Sequence, residues 1–208
     1  MKERNAVMTS SAVNQSPLPA CAWLLKHEIE RQYHDAVWGI PVYDDRVLFE
    51  FLTLEGAQAG LSWLTILQKR AAYRRAFVEF DIDTLATYGE AQMEAIIAHH
   101  DVVKNRRKIA SVFTNAQAVQ KLQQEFGSFA QALWQFVDGV PRINHWRSRD
   151  EVPVFTPESQ AMSRFLKKHG FKFVGDTICY SLMQATGMVN DHLVSCERHQ
   201  AIQQLNIS

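Results

Sequence analysis

A chain of 208 residues, 47% apolar and 21% charged, has the composition of one globular domain long enough to bury a core. No apolar run approaches the ~18 residues of a membrane-crossing helix. The 22 basic and 22 acidic side chains cancel, which argues against the strongly basic balance of many nucleic-acid-binding domains.

Residues 1–19, "MKERNAVMTSSAVNQSPLP", lack a compact apolar centre and read as a flexible polar tail, not an export signal. Three cysteines, an odd number, argue for a reducing, cytoplasmic setting and against a disulfide framework. A single domain is expected over 20–208. Its first stretch, "CAWLLKHEIERQYHDAVWG", carries Cys21, Trp23, Tyr33 and His34. Val47, Leu48, Phe51 and Leu52 then recur at helical spacing, and Leu61, Leu64 and Leu67 resume it after a Gly56–Gly60 break. "SFAQALWQFVDG" begins like a capping box, Ser128 with Gln131, and ends on Gly139. "TPESQAMSRFLKKHG" offers Thr156 as N-cap, Pro157 at the first helical position and Gly170 beyond the end. Sustained apolar/polar alternation and internal repeats are lacking, so an all-α fold is expected.

After Gly170 the chain turns through Phe171 to Gly175, and another helix begins near Thr177. Gly175 has no Cβ to obstruct a bulky group, and the helix N-terminus behind it offers unpaired N–H groups suited to a phosphate. This is the outline of a helix-hairpin-helix element near 158–187, with Gly170, Phe173 and Gly175 as candidate DNA contacts; an ordinary helical corner is the alternative. Asp176, a carboxylate at that helix start, would repel phosphate unless it caps the helix.

Three basic runs, "KRAAYRR", "KNRRK" and "RFLKKHGFK", hold 12 of the 22 basic residues with no acid inside any run. Solvated helix faces explain each alone; together they suggest a phosphate-binding face.

Near the C-terminus "MVNDHLVSCERH" sets His192 and Cys196 four apart, where one helix face could aim both at one point. With Cys21 and His34 they make a C-x12-H…H-x3-C set of two thiols and two imidazoles, suited to a closed, structural zinc site with no open position for water. His27 and His199 are rival ligands.

"YHDAVWGIP", "LFEFLTLEGAQAGLSWLTILQKR", "KNRRKI", "LWQFV", "FKFVGDTICYSLMQATGMVNDH" and the terminal Cys196 resemble the DNA-3-methyladenine glycosylase I family, the constitutive alkylation-repair enzymes of bacteria. The resemblance runs from about Cys21 to Cys196. It implies a helix-hairpin-helix glycosylase with a zinc clamp on Cys21, His34, His192 and Cys196, which decides against His27 and His199. Two positions depart from the family pattern: Val37 stands where Glu is usual, and Asp176 where a small residue or proline is usual.

An enzyme acting on a base within a duplex must extrude it into a pocket, stack it and read its edge. "LEGAQAGLSW" supplies Glu55 as the acid facing a cationic 3-methyladenine, with Trp63, Tyr33 and Trp23 as aromatic walls and Leu61 as an apolar wedge for the gap in the stack. For each aromatic the alternative is core packing; for Leu61 it is a buried first-turn position. The expected reaction is monofunctional hydrolysis of the N-glycosidic bond. Alkylated double-stranded DNA is the partner and free 3-methyladenine the product of a monomeric enzyme. The alternatives are a non-catalytic, zinc-stapled DNA-binding module and a catalytic zinc hydrolase, the latter requiring one of the four ligands to leave the metal.

Overall fold

The computed structural model describes residues 21–22 and 26–205; the tail at 1–19 and Trp23 lie outside them. Ten α-helices build the described residues: α1 Glu28–Ala36, α2 Asp45–Gln58, α3 Trp63–Ala76, α4 Ile82–Ala86, α5 Glu90–His99, α6 Arg106–Phe126, α7 Phe129–Trp134, α8 Pro157–Lys168, α9 Asp176–Ala185 and α10 Glu197–Gln203.

Helix α2 is the hub. Asp44 caps it by accepting from the Val47 N–H at 2.9 Å, and Leu48 to Ala57 are buried on every side. Such all-round burial is what a helix at the centre of a domain requires. Helices α3, α6, α7 and α9 pack around it. Asp45 reaches across to the start of α7, accepting from the Phe129 and Ala130 N–H groups at 2.9 and 2.8 Å and satisfying two orphan donors. Phe49, Leu54, Ile66, Phe77, Phe129 and Leu182 are fully buried in the resulting core. Burying each such side chain stabilises by roughly 1.5–3 kcal/mol.

One expectation is corrected and one is extended. Helix α2 does not break at Gly56; it runs to Gln58, and Gly56 is the place where Phe173 crosses it. The expected all-α architecture also contains a short parallel pairing, β1 Arg142–Ile143 with β2 Val189–Asn190, in register Arg142 to Val189 and Ile143 to Asn190. Two residues per strand are too few for alternation to reveal them.

The α8–α9 junction matches the expected punctuation. Thr156 caps α8, Pro157 opens it, and Gly170 follows its end at φ +89°. Phe171 stacks on Phe129 with ring centroids 5.9 Å apart. Asn115 of α6 clamps the turn backbone, donating to the Lys172 carbonyl at 3.1 Å and accepting from its N–H at 2.8 Å. Ser163 donates to the Val174 carbonyl at 2.7 Å. Gly175 is the N-cap of α9 and no side chain caps that helix, so Asp176 is its first residue and not its cap. The Asp176 carboxylate lies 3.9 Å from the Lys167 ammonium.

The first two basic runs are largely spent inside the fold. Lys69 pairs with Asp101, and Arg70 and Arg74 both bind the buried Glu50. Arg106 binds Glu90 and Glu94. Lys108 donates to the Ala57 and Ala59 carbonyls at 2.8 and 2.7 Å, closing the C-terminus of α2. Arg164, Lys168 and Lys172 of the third run stay exposed beside the hairpin.

Candidate functional site

A cavity of about 440 Å³ opens where α1, α2, the start of α3 and α9 meet the loop after β1. Glu30 and Tyr33 come from α1, Glu55 and Gln58 from α2, and Trp63 stands at the start of α3. Helix α9 gives a stripe of Thr177, Tyr180, Ser181 and Gln184, an i, i+3, i+4, i+7 face. Arg149 and the segment 152–154 form the remaining wall.

Glu55 is 5% exposed. Burial pushes its carboxyl up to about 8, because the low-dielectric wall penalises the charged form. Among the described residues it has neither hydrogen bond nor ion pair, unlike Glu50 one turn earlier with its two arginines. The Tyr33 and Trp63 rings lie 5.3 Å apart at 56°. Burial first, and the Glu55 charge second, hold the Tyr33 phenol well above its ordinary value. The Trp63 indole nitrogen is buried with no acceptor among the described residues.

Behind the cavity lies the thiol–imidazole cluster, whose four ligand atoms on Cys21, His34, His192 and Cys196 all fall within 4.8 Å of one another. The His34 Nε2 to His192 Nδ1 distance is 3.1 Å; the Cys196 sulfur is 3.6 and 3.7 Å from these nitrogens, and the Cys21 sulfur 4.0 Å from His192 Nδ1. Tetrahedral coordination at zinc–ligand distances would give edges of about 3.3–3.8 Å. The outer nitrogens decide the tautomers. His34 Nδ1 donates to Asp35 at 2.7 Å, and His192 Nε2 donates to the Trp38 carbonyl at 3.1 Å. Both facing nitrogens are then lone pairs, which only a shared cation or proton can satisfy, and such outer hydrogen bonds are the usual supports of metal-bound histidines. A hydrogen bond from Cys21 holds the Cys196 thiol well below its usual range. This donor set suits a metal ion. His27 and His199 stay outside: His27 precedes α1 as its N-cap, and His199 bonds the Asn144 carbonyl at 2.8 Å.

The cluster backs onto the cavity. Tyr33 and His34 are neighbours in α1, and the Trp38 ring, a cavity wall, lies 4.6 Å from the His192 ring. Leu61 sits outside the first turn of α3, before the Ser62 cap and 40% exposed, so a buried first-turn role is excluded. Gly170, Phe173 and Gly175 lie in the α8–α9 turn, Phe173 half-buried at φ +55° and Gly175 with open space where a Cβ would project. Tyr180, Gln184, Gln58 and 152–154 escaped the sequence reading. The stripe on α9 was a usable signal, masked by the apolar residues that share that helix.

Residues 23–199 match the methyladenine glycosylase family. The chain is 43% identical over 176 residues to DNA-3-methyladenine glycosylase 1 of Escherichia coli K12, covering 85% of this chain and 94% of that one. A crystal structure of 3-methyladenine DNA glycosylase I superposes with a TM-score of 0.83 at 46% identity, over 86% of this chain and 98% of the other. A variant of 3-methyladenine DNA glycosylase I in complex with 3-methyladenine gives 0.83 at 34% identity, over 86% and 96%.

Proposed function

The chain belongs to the methyladenine glycosylase family, and we infer that it hydrolyses the N-glycosidic bond of 3-methyladenine in alkylated DNA, releasing the base and leaving an abasic site. The observation that carries this reading is Glu55, a buried carboxyl without a partner among the described residues, in the wall of an aromatic cavity.

Methylation at N3 makes the nucleobase a cation. Facing it, Glu55 gains a charge attraction that unmodified adenine lacks, and loses the proton that burial favours. Tyr33 and Trp63 add stacking and a cation–π contribution of roughly 0.5–2 kcal/mol; Trp23 is kept as a third aromatic wall. A cationic base leaves as a neutral molecule, so little protonation is needed and catalysis rests on extruding and holding the nucleotide. None of the described residues lining the cavity is a lysine, which supports a monofunctional reaction without a lyase step.

Helix α8, its turn and α9 are read as the helix-hairpin-helix element, with backbone N–H groups near Gly175 holding a phosphate and Arg164, Lys168 and Lys172 supplying field. Leu61 is read as the wedge. The thiol–imidazole set is read as a structural zinc site; a zinc ion there would neutralise the thiolates and clamp the N-terminal stretch to the C-terminal loop. The enzyme is placed in the cytoplasm as a monomer. The alternative of a non-catalytic, zinc-stapled DNA-binding module gives Glu55 nothing to do.

The test is direct. Methylated duplex DNA incubated with the protein should yield free 3-methyladenine and alkali-labile sites, with no strand cleavage before alkali. DNA binding without base release would leave the binding module as the answer.

A further inference from the structure

Helix α6 holds both of the segments read as meeting DNA. In its first turn Lys108 donates to the Ala57 and Ala59 carbonyls at 2.8 and 2.7 Å. Two turns on, Asn115, 4% exposed, donates to the Lys172 carbonyl at 3.1 Å and accepts from the Lys172 N–H at 2.8 Å. Positions i and i+7 share one helix face, about 10 Å apart. Ser111 stands between them, its hydroxyl donating to the Lys108 carbonyl at 2.6 Å.

Lys108 does more than close a helix. Ala57 belongs to α2, but Ala59 lies beyond its last residue, Gln58, so one ammonium ties the helix to the loop that leaves it. On the other side Ser62 is fixed as the N-cap of α3, accepting from the Thr65 N–H at 3.2 Å. Gly60 and Leu61 are all that lies between these anchors. Burial lowers the pKa of the Lys108 ammonium, so a charge stands here at a cost that its two acceptors offset. At the far end of the stripe Asn115 engages both backbone groups of Lys172, beside the Phe173 that rests on Gly56.

We propose that Lys108 and Asn115 are positioning residues through which α6 holds the Leu61 loop and the α8–α9 turn at one fixed spacing, so that the wedge meets the duplex at the nucleotide whose backbone the turn grips. The proposal rests on the reading of Leu61 as the wedge and of that turn as the grip, and adds what keeps them in register. Extrusion needs both at once, a filled gap in the stack and a held backbone. A loop free to swing would have to be ordered at the moment of binding, whereas an anchored one is ordered beforehand. A misplacement of about 1 Å far from the chemistry can cost about a hundredfold in rate.

The test compares kcat/KM for 3-methyladenine release from methylated duplex DNA and from the same strand alone. The ratio of the two is insensitive to the fraction of folded enzyme, which a merely structural role would change. Lys108→Met keeps the aliphatic stem and removes both hydrogen bonds, and should lower the duplex-to-single-strand ratio about tenfold. Leu61→Ala combined with Lys108→Met should lower the ratio no further than Leu61→Ala alone, because Lys108 acts through Leu61. Asn115→Leu should lower the ratio as well, and Lys108→Met carries the test if that variant does not fold. An unchanged ratio in Lys108→Met, or a double variant whose loss is the product of the two single losses, overturns the proposal. An unchanged ratio in Leu61→Ala overturns the wedge reading itself, a separate failure seen with Lys108 intact.

Discussion

Phe173 lies directly against Gly56: a Cβ at Gly56 would come within 3.2 Å of the Phe173 Cβ and 3.3 Å of its carbonyl oxygen. The turn read as the DNA-contacting hairpin therefore rests on the helix that carries Glu55, one residue away. Glycine costs a helix interior roughly 0.5–1 kcal/mol relative to alanine, and here that cost permits the contact. Gly56→Ala should gain helix propensity but push the turn outward by a few tenths of an ångström. The expected outcome is a melting temperature within a few degrees of wild type and a several-fold rise in KM for duplex substrate, with kcat less affected. Unchanged steady-state parameters would show that hairpin position and pocket are independent.

The four-residue cluster predicts one zinc per chain by elemental analysis. Cys196→Ser, or prolonged chelation, should lower the melting temperature while base release by the remaining folded enzyme falls less, since these ligands lie behind the cavity wall. The His34–His192 link spans 158 positions, and releasing so long a loop restores much unfolded-state entropy. Wild-type protein that is metal-free and fully stable would remove zinc from the account.

Glu55 sets a pH dependence whose sign can be worked out. Its folded value, about 8, lies above its ordinary value of 4.5. The stability it contributes is thus fully present below about pH 4.5 and is lost as pH rises through 8. Glu55→Gln should then melt higher than wild type at pH 9 and close to it at pH 4.5, a gap of a few kcal/mol at about 1.4 kcal/mol per unit. The same substitution should cut release of 3-methyladenine by an order of magnitude or more. In the wild type kcat/KM should climb towards pH 8 as the free enzyme loses this proton, and the variant should lose that limb. A variant with wild-type release would show that another group reads the cationic base.

The parts legible in the sequence are those that depend on near neighbours. Thr156, Pro157 and Gly170 mark the ends of α8 because caps act within a few residues. The spacing of Cys21, His34, His192 and Cys196 suggested the cluster, and only the family resemblance excluded His27 and His199. The first two basic runs misled because their acids are distant: Glu50 binds Arg70 and Arg74 twenty and twenty-four residues away, and Asp101 binds Lys69 across thirty-two. Asp191 was visible only as the carboxylate before His192, since its four donors, Asn144, Trp146, Tyr180 and Gln184, come from the loop after β1 and from α9.

Leu61 gives the sharpest separation between a wedge and a packing role. Gly60 bends the chain at φ +81°, and the Leu61 N–H closes a turn onto the Gln58 carbonyl at 2.6 Å. Lys108 anchors the preceding helix end through the Ala57 and Ala59 carbonyls, so the loop has a firm base while the leucine is left 40% exposed. Gln58, one turn earlier, lines the cavity mouth. A core leucine truncated to alanine would cost roughly 2–5 kcal/mol; a side chain this exposed should cost well under 1 kcal/mol. Leu61→Ala should therefore keep the melting temperature and lose turnover on duplex DNA by tenfold or more, because the gap left by the extruded nucleotide goes unfilled. On single-stranded methylated DNA no stack has to be held open, and the variant should approach wild type. Equal losses on both substrates would mean that Leu61 shapes the pocket and fills no gap; the element entering the duplex would then have to be sought along the exposed Val154–Phe155 edge of the cavity's loop wall.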